Sequence, residues 1–311
     1  MRFMPAMYIP KRLVEISLIN TAAVNPQNFV NHCEIEYEYR VVAAAAEAVA
    51  SGSRVVLLTG PSSSGKTTTA HKLANALCTI GKIAKVISLD DFYLDLDRYP
   101  RLPDGTKDYE NVYALDIPEI QRCIRNLVET GECDVPQFDF MTESRRGEYR
   151  HYDLREGVAV VEGIHALNPL MSENLPEGSV FKVYAGLREE YSHMGQRVLP
   201  TRDIRLARRM VRDAKFRGHS LEKTMRMWPS VCAAENENIR VFKRYADFIM
   251  DTSFSYEICC LAPYIRELAD DLPDESPCQE KYQSLLREFE QCEPISEKYI
   301  PKGSMLREFI G

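Results

Sequence analysis

Residues 60–67 read Gly-Pro-Ser-Ser-Ser-Gly-Lys-Thr, and their surroundings restrict the fold more than any other segment does. Before them, residues 54–59 form a short apolar run, Arg-Val-Val-Leu-Leu-Thr, of the kind buried on both faces of a parallel sheet. After them, residues 68–79 read as a helix, with Gly81 just past its end. A glycine turn between strand and helix lets backbone N–H groups curl round a phosphate, and the positive end of the helix assists. In that reading Gly60, Pro61, Ser62, Ser63, Ser64, Gly65, Lys66, Thr67 and Thr68 surround the phosphates of a nucleotide. Lys66 reaches the β- and γ-phosphates, and the Thr67 hydroxyl takes Mg2+. A chance glycine/serine turn carries the same letters but lacks this strand-to-helix context.

The same alternation continues along the chain. Buried-strand patterns recur at residues 84–89, 158–161, 180–184 and 246–250. Helical patterns lie at 117–130, with Asp116 as cap, Pro118 in the first turn and Gly131 after the end, and at 201–216. Such alternation predicts a three-layer α/β fold around a mostly parallel five-stranded sheet. Residues 1–33 are punctuated by Asn and Pro and read as an irregular arm, followed by a helix at 36–51 closed by Gly52. The stretch with Pro100, Pro103 and Gly105 reads as a loop, and two helices and a tail close the chain. The expected division is an arm and leading helix (1–52), a nucleotide-binding domain with a lid (53–255) and a helical extension packed on it (256–311).

Ligands of such sheets bind beyond the carboxyl ends of the strands, so the residues there are the ones to examine. Asp90 and Asp91 leave the second strand, in Ser-Leu-Asp-Asp-Phe-Tyr. A carboxylate here can orient an attacking hydroxyl and accept its proton; the alternative is a turn cap. Glu162 leaves the third strand, where an acid can hold Mg2+ through water; the alternative is a carboxylate pairing with a buried turn. His165, three residues on, reads as a packing or capping histidine more readily than as a ligand. Arg205, Arg209 and Arg212 share a helix face at i, i+4 and i+7, with Arg208, Lys215 and Arg217 beside them. This cluster suits a lid that clamps phosphates; a solvated face paired with Asp203 and Asp213 is the alternative.

Composition narrows the function classes. The chain of 311 residues carries a net charge of -7, which gives it no electrostatic reason to seek nucleic acid or an anionic membrane. Its nine cysteines include no CxxC pair, which fits reduced thiols in a cytoplasm better than disulfides or a zinc site. No stretch approaches a membrane span. The expected partners are ATP and a small-molecule acceptor; a homo-oligomer and a GTP donor stay open.

Several segments together resemble the phosphoribulokinase and uridine kinase family, over about residues 54–311: GPSSSGKTTTA, SLDDFY, VPQFDF, VVEGIHALNP, DIRLARRMVRDAKFRGHS, and MWPSV followed by YADFIMDTS. The resemblance is greatest to bacterial uridine kinase-like proteins. It implies ATP-dependent phosphoryl transfer to a hydroxyl, the 5′-hydroxyl if the acceptor is a nucleoside. It implies Asp90 as base, Tyr93 as a substrate-facing aromatic, Glu162 as the acid near Mg2+, and Arg209, Arg212 and Arg217 on phosphates. It also puts Glu110 at a ribose-binding acid, Phe138 where the family has tyrosine, and Glu143 where it has histidine. An ionised carboxylate accepts hydrogen bonds and donates none, so uracil's carbonyl edge is poorly met and plain uridine is expected to be a poor acceptor. A kinase of a sugar or sugar phosphate, a nucleotide-binding regulator without transfer activity and a protein tied to RNA are the remaining readings. Intact Lys66, Thr67, Asp90 and Glu162 weigh against a dead kinase, and the acidic charge against an RNA binder.

Overall fold

The computed structural model describes residues 9–102 and 105–311. Residues 1–8 of the expected arm, and Pro103 of the expected loop, lie outside the described residues. In chain order the elements begin with β1 (Arg12–Glu15), α1 (Ile16–Ala23), α2 (Pro26–Ala50), β2 (Val55–Thr59), α3 (Lys66–Thr79) and β3 (Ile83–Ser88). The middle of the chain forms α4 (Ile117–Glu129), β4 (Glu132–Asp139), β5 (Ser144–Asp153), β6 (Gly157–Glu162), β7 (Val180–Gly186), β8 (Glu189–His193) and β9 (Gln196–Leu199). Then come α5 (Thr201–Phe216), α6 (Leu221–Asn238), β10 (Phe248–Asp251), α7 (Glu257–Glu267), α8 (Gln279–Phe289) and α9 (Arg307–Ile310).

The main sheet has the order β10-β7-β2-β6-β3, and its pairings are parallel. β2 sits at its centre, with Leu57 opposite Val161 on one side and Lys182 on the other. Alternate residues serve the two faces. Val56, Leu58, Val160 and Val183 join one core with residues of α2, α3, α5 and α7, while Val55, Leu57, Ile87 and Val161 join another with residues of α4. This is the expected three-layer α/β arrangement, and its parallel strands bring the ends of β2, β3 and β6 to one edge.

The arm expectation is corrected. Residues 12–50 are a strand and two helices, and α2 begins at Pro26 rather than near residue 36. The Asn25 side chain accepts a hydrogen bond from the Asn28 amide, and Pro26 occupies the first turn. Asn then Pro is a helix-start signal here, not loop punctuation. β1 pairs with β8 in parallel, which ties residues 12–15 to the segment just after β7. The polar β4–β5 hairpin also escapes a periodicity argument, because β5 exposes most of both its faces. The expected arginine helix, α5, does not stand apart: Ile204, Leu206, Ala207, Met210 and Val211 are buried in the main core.

The end of the chain folds back against the start of α3. Met305, Leu306 and Phe309 are fully buried. Phe309→Ala removes a buried ring and is expected to cost about 3–5 kcal/mol of stability, read from the midpoint of urea unfolding. A loss below about 1 kcal/mol would mean that the last turn is a loose flap.

Candidate active site

The loop between β2 and α3 has the backbone that its glycines require. Gly65 adopts φ +78° as the residue preceding α3, and a Cβ there would run into the Met305 thioether. At Gly60 a Cβ would strike the Ala185 carbonyl oxygen and the Ser64 hydroxyl. Two buried arginines of α5 hold the loop from behind. Arg205 donates to the Ser62 carbonyl at 2.8 Å and forks onto Glu235 at 2.6 and 2.8 Å. Glu235 in turn accepts the Ser62 amide at 2.8 Å. Arg208 donates to the Ser63 carbonyl at 3.3 Å and the Thr252 carbonyl at 3.0 Å, and pairs with Glu257 at 2.6 Å. Its guanidinium also lies over the Phe309 ring. Arg205 and Arg208 are thus scaffolding for the loop.

Lys66, Asp90, Glu110 and Glu162 come together in front of the loop. Thr67 and Ser88 each donate a hydroxyl hydrogen bond to Glu162 Oε1, at 3.2 and 3.3 Å. The other carboxylate oxygen of Glu162 is buried and takes no hydrogen bond among the described residues. Burial pushes the Glu162 carboxyl up, and Lys66 opposes it. Asp90 leaves β3 on a short turn, and its own amide donates to the Ser88 hydroxyl at 3.2 Å. Burial raises its pKa too, against the pull of Lys66 and Arg217. Glu110 is raised for the same reason, with Lys66 and Arg209 as the opposing cations. Asp91 is also raised by burial, and by the neighbouring Asp90, while Arg150, the Phe138 amide and Arg146 of the β4–β5 hairpin oppose the shift. His165 is buried, and that burial pushes its imidazole down to about 4 against the Glu110 backbone, so it is neutral near pH 7.

The second half of α5 aims further cations at the same space. Arg209 donates to the Ser62 hydroxyl at 2.8 Å. Arg209, Arg212 and Arg217 converge on the fully buried Asp213, at 3.3, 2.8 and 3.7 Å. The solvated-face alternative does not describe Arg209 and Arg212, which are largely buried, but it does describe Arg217, which is half exposed while pairing with Asp213. Lys215 turns away and donates to the Ile310 carbonyl at 2.6 Å.

An aromatic wall stands beside Asp90. Tyr93 stacks on Tyr99 at 5.8 Å and meets Phe138 at 5.7 Å; Tyr109 and Phe140 complete the group. Glu143 sits in the turn of the β4–β5 hairpin at φ +50°, exposed to solvent. The contributions of Tyr99, Tyr109, Asp213, Glu235 and Glu308 could not be read locally. The Glu308 carboxylate accepts the Thr68 hydroxyl at 2.7 Å across 240 residues. Of these, Asp213 alone had a local signal, as an acid among the arginines of α5.

Comparison with known proteins follows this geometry. A model of the phosphoribulokinase/uridine kinase family matches residues 55–257. The chain belongs to this family. It is therefore a kinase of that family, a class of transferase. A uridine kinase of Lactobacillus helveticus is 29% identical over 197 residues, covering 63% of this chain and 85% of the relative. One from Halobacterium salinarum is 27% identical over 194 residues, covering 62% and 77%. Among solved structures, phosphoribulokinase from Rhodobacter spheroides overlaps with a TM-score of 0.43 at 20% identity, covering 66% of this chain and 74% of that one. Among the described residues of this family member, no helix is long and apolar enough to cross a membrane.

The raised Asp90 carboxyl has a kinetic consequence. If Asp90 must be ionised to accept a proton, the rate rises with pH through a value above the usual carboxylate range. Arg217→Met removes a cation that lowers this pKa, so the acid limb of the kcat–pH profile should move to still higher pH. An unmoved limb would separate Asp90 from the proton transfer.

Proposed function

We propose that this chain transfers the γ-phosphoryl group of ATP to a hydroxyl of a small molecule, most directly the 5′-hydroxyl of a nucleoside. The observation that carries the reading is Asp90, a half-buried carboxylate at the exit of β3 whose opposing charges are Lys66 and Arg217. Phosphoryl transfer needs little covalent help from the protein. It needs alignment, neutralisation of the charge in flight, and an acceptor for the hydroxyl proton. Gly60–Thr68 amides and Lys66 hold the β- and γ-phosphates. Arg209, Arg212 and Arg217, oriented by Asp213, face the migrating phosphoryl oxygens. Asp90 orients the acceptor hydroxyl and takes its proton.

The residues present fit Mg2+. Thr67 and Glu162 offer hard oxygen donors, and one Glu162 oxygen is buried with no hydrogen bond among the described residues. No group of three or more His, Cys, Asp or Glu side chains forms a metal cage among the described residues. That agrees with an ion bound largely by phosphate and water. Bound there, Mg2+ would supply positive charge to the β- and γ-phosphate oxygens. We assign donor, metal and acceptor by this fit and by family membership.

The nucleoside reading draws on the aromatic wall of Tyr93, Tyr99, Tyr109 and Phe138, a surface suited to a planar base. Glu110, beside Asp90 and Lys66, is suited to a ribose hydroxyl. With Glu143 exposed on a turn and Phe138 lacking a hydroxyl, the wall offers stacking more than polar reading of one base, so Glu143 no longer gives a reason to expect plain uridine to be rejected, and acceptors with different bases, uridine included, are expected to be used. Asp90→Asn is expected to lower kcat by about two to four orders of magnitude with little change in nucleotide affinity. Asp91→Asn, whose partners are on the hairpin, should do far less. Steady-state kinetics of the two variants check this, and the reverse ranking would move the base to Asp91.

A further inference from the structure

On the Pro61 side of the phosphate loop lies a second cavity, of about 420 Å3. Pro61, Tyr184 and Pro200 line it, whereas Lys66, Thr67, Asp90 and Glu162 do not. Its wall is cationic. Arg188 arrives from the end of β7, Arg202 from the start of α5, and Arg240 and Lys243 from the turn before β10. The acids that line it are already engaged: Glu190 by Lys11 at 2.5 Å and Arg197 at 3.2 Å, and Asp203 by Lys281 at 2.8 Å. Arg240 donates to the neutral Asn236 amide oxygen at 3.0 Å, and neither it nor Arg202 makes an ion pair among the described residues.

We propose that this cavity is a second anion site, separate from the phosphate loop's own, for a small molecule bearing two or more phosphate groups. Arg202 and Arg240, beside Arg188 and Lys243 and with Glu190 and Asp203 paired to other cations, give a positive wall that matches a di- or triphosphate and exceeds the charge of a single carboxylate. The crowding is already felt: burial, then Arg188, Arg240 and Lys11, push the Lys243 ammonium down to about 8. An anion relieves this repulsion. The Tyr184 ring, 5.5 Å from the Lys243 ammonium, gives the cavity one flat face. The site also touches the loop, because Arg205 lines the cavity while holding the Ser62 carbonyl and Glu235. An occupant that attracts Arg205 changes the support of the Ser62 amide, so the site is placed to modulate nucleotide binding.

The test is isothermal titration of the full chain with inorganic tripolyphosphate, the phosphate loop being saturated with a non-hydrolysable Mg·ATP analogue. One further saturable event is expected, weakening steeply as salt rises. The double variant Arg202→Glu/Arg240→Glu should weaken it at least about tenfold, leaving the analogue's affinity unchanged. If that variant melts early, Lys243→Met keeps the apolar stem over Tyr184 and should weaken binding at least about threefold. A nucleoside triphosphate as second probe sorts the ligand source. Binding about tenfold tighter than tripolyphosphate identifies a nucleotide read partly by Tyr184, and equal affinity identifies recognition of phosphates alone; both support the site. Absence of a further event up to millimolar tripolyphosphate, or one unaffected by these substitutions, overturns the proposal.

Discussion

Two guanidinium groups buried on α5 hold the phosphate loop by its backbone, and the rest of the site depends on them. Arg205 takes the Ser62 carbonyl and Arg208 the Ser63 carbonyl. Neither charge is alone in the interior, since Glu235 answers one and Glu257 the other. Removing one partner of such a pair leaves an uncompensated buried charge and costs about 3–5 kcal/mol. Loop and helix therefore keep their relative position as a unit. Because Arg208 also meets Thr252 and Phe309, the end of β10 and the last turn of the chain are tied to the same point. A loop braced in this way presents its amides without waiting for a ligand to order them, which is the preorganisation that charge stabilisation requires.

In front of that brace the electrostatics are deliberately unbalanced. Asp90, Glu110 and Glu162 are each raised by burial, and each is opposed by Lys66. One lysine cannot neutralise three carboxylates and the phosphates of a nucleotide. Arg209, Arg212 and Arg217, gathered by Asp213, add positive charge, and in the proposed reading a cation held by Thr67 and Glu162 would add the rest. Asp213 acts through the arginines that it orients. Without it three guanidinium groups would repel one another, and their fork directions would be lost.

Much of this was legible in the sequence because its signals are local. The glycine loop, its strand and its helix lie within about thirty consecutive residues, and parallel strands bring Asp90 and Glu162 to the loop with no further assumption. The five strands and the arginine helix follow from apolar runs and caps in the same way. What was missed depends on distant partners. Glu235 reaches Ser62 across 173 residues, and Glu308 reaches Thr68 across 240. No periodicity announces such contacts. The hairpin of β4 and β5 was hidden because β5 is polar on both faces. The start of α2 was hidden for another reason: Asn25 and Pro26 are common both in loops and at helix starts, and tertiary packing decides between them.

The central claim is that the residues around Lys66 pass the terminal phosphoryl group of ATP to an acceptor hydroxyl. The most direct measurement uses ATP labelled in its γ-phosphate, incubated with the full chain, Mg2+ and a panel of nucleosides, sugars and sugar phosphates, and follows the label by mass spectrometry. The account predicts that label appears on the 5′-oxygen of one or more nucleosides and that Lys66→Ala abolishes the transfer while the chain stays folded. Label found on inorganic phosphate alone, or transfer undiminished in Lys66→Ala, would contradict it.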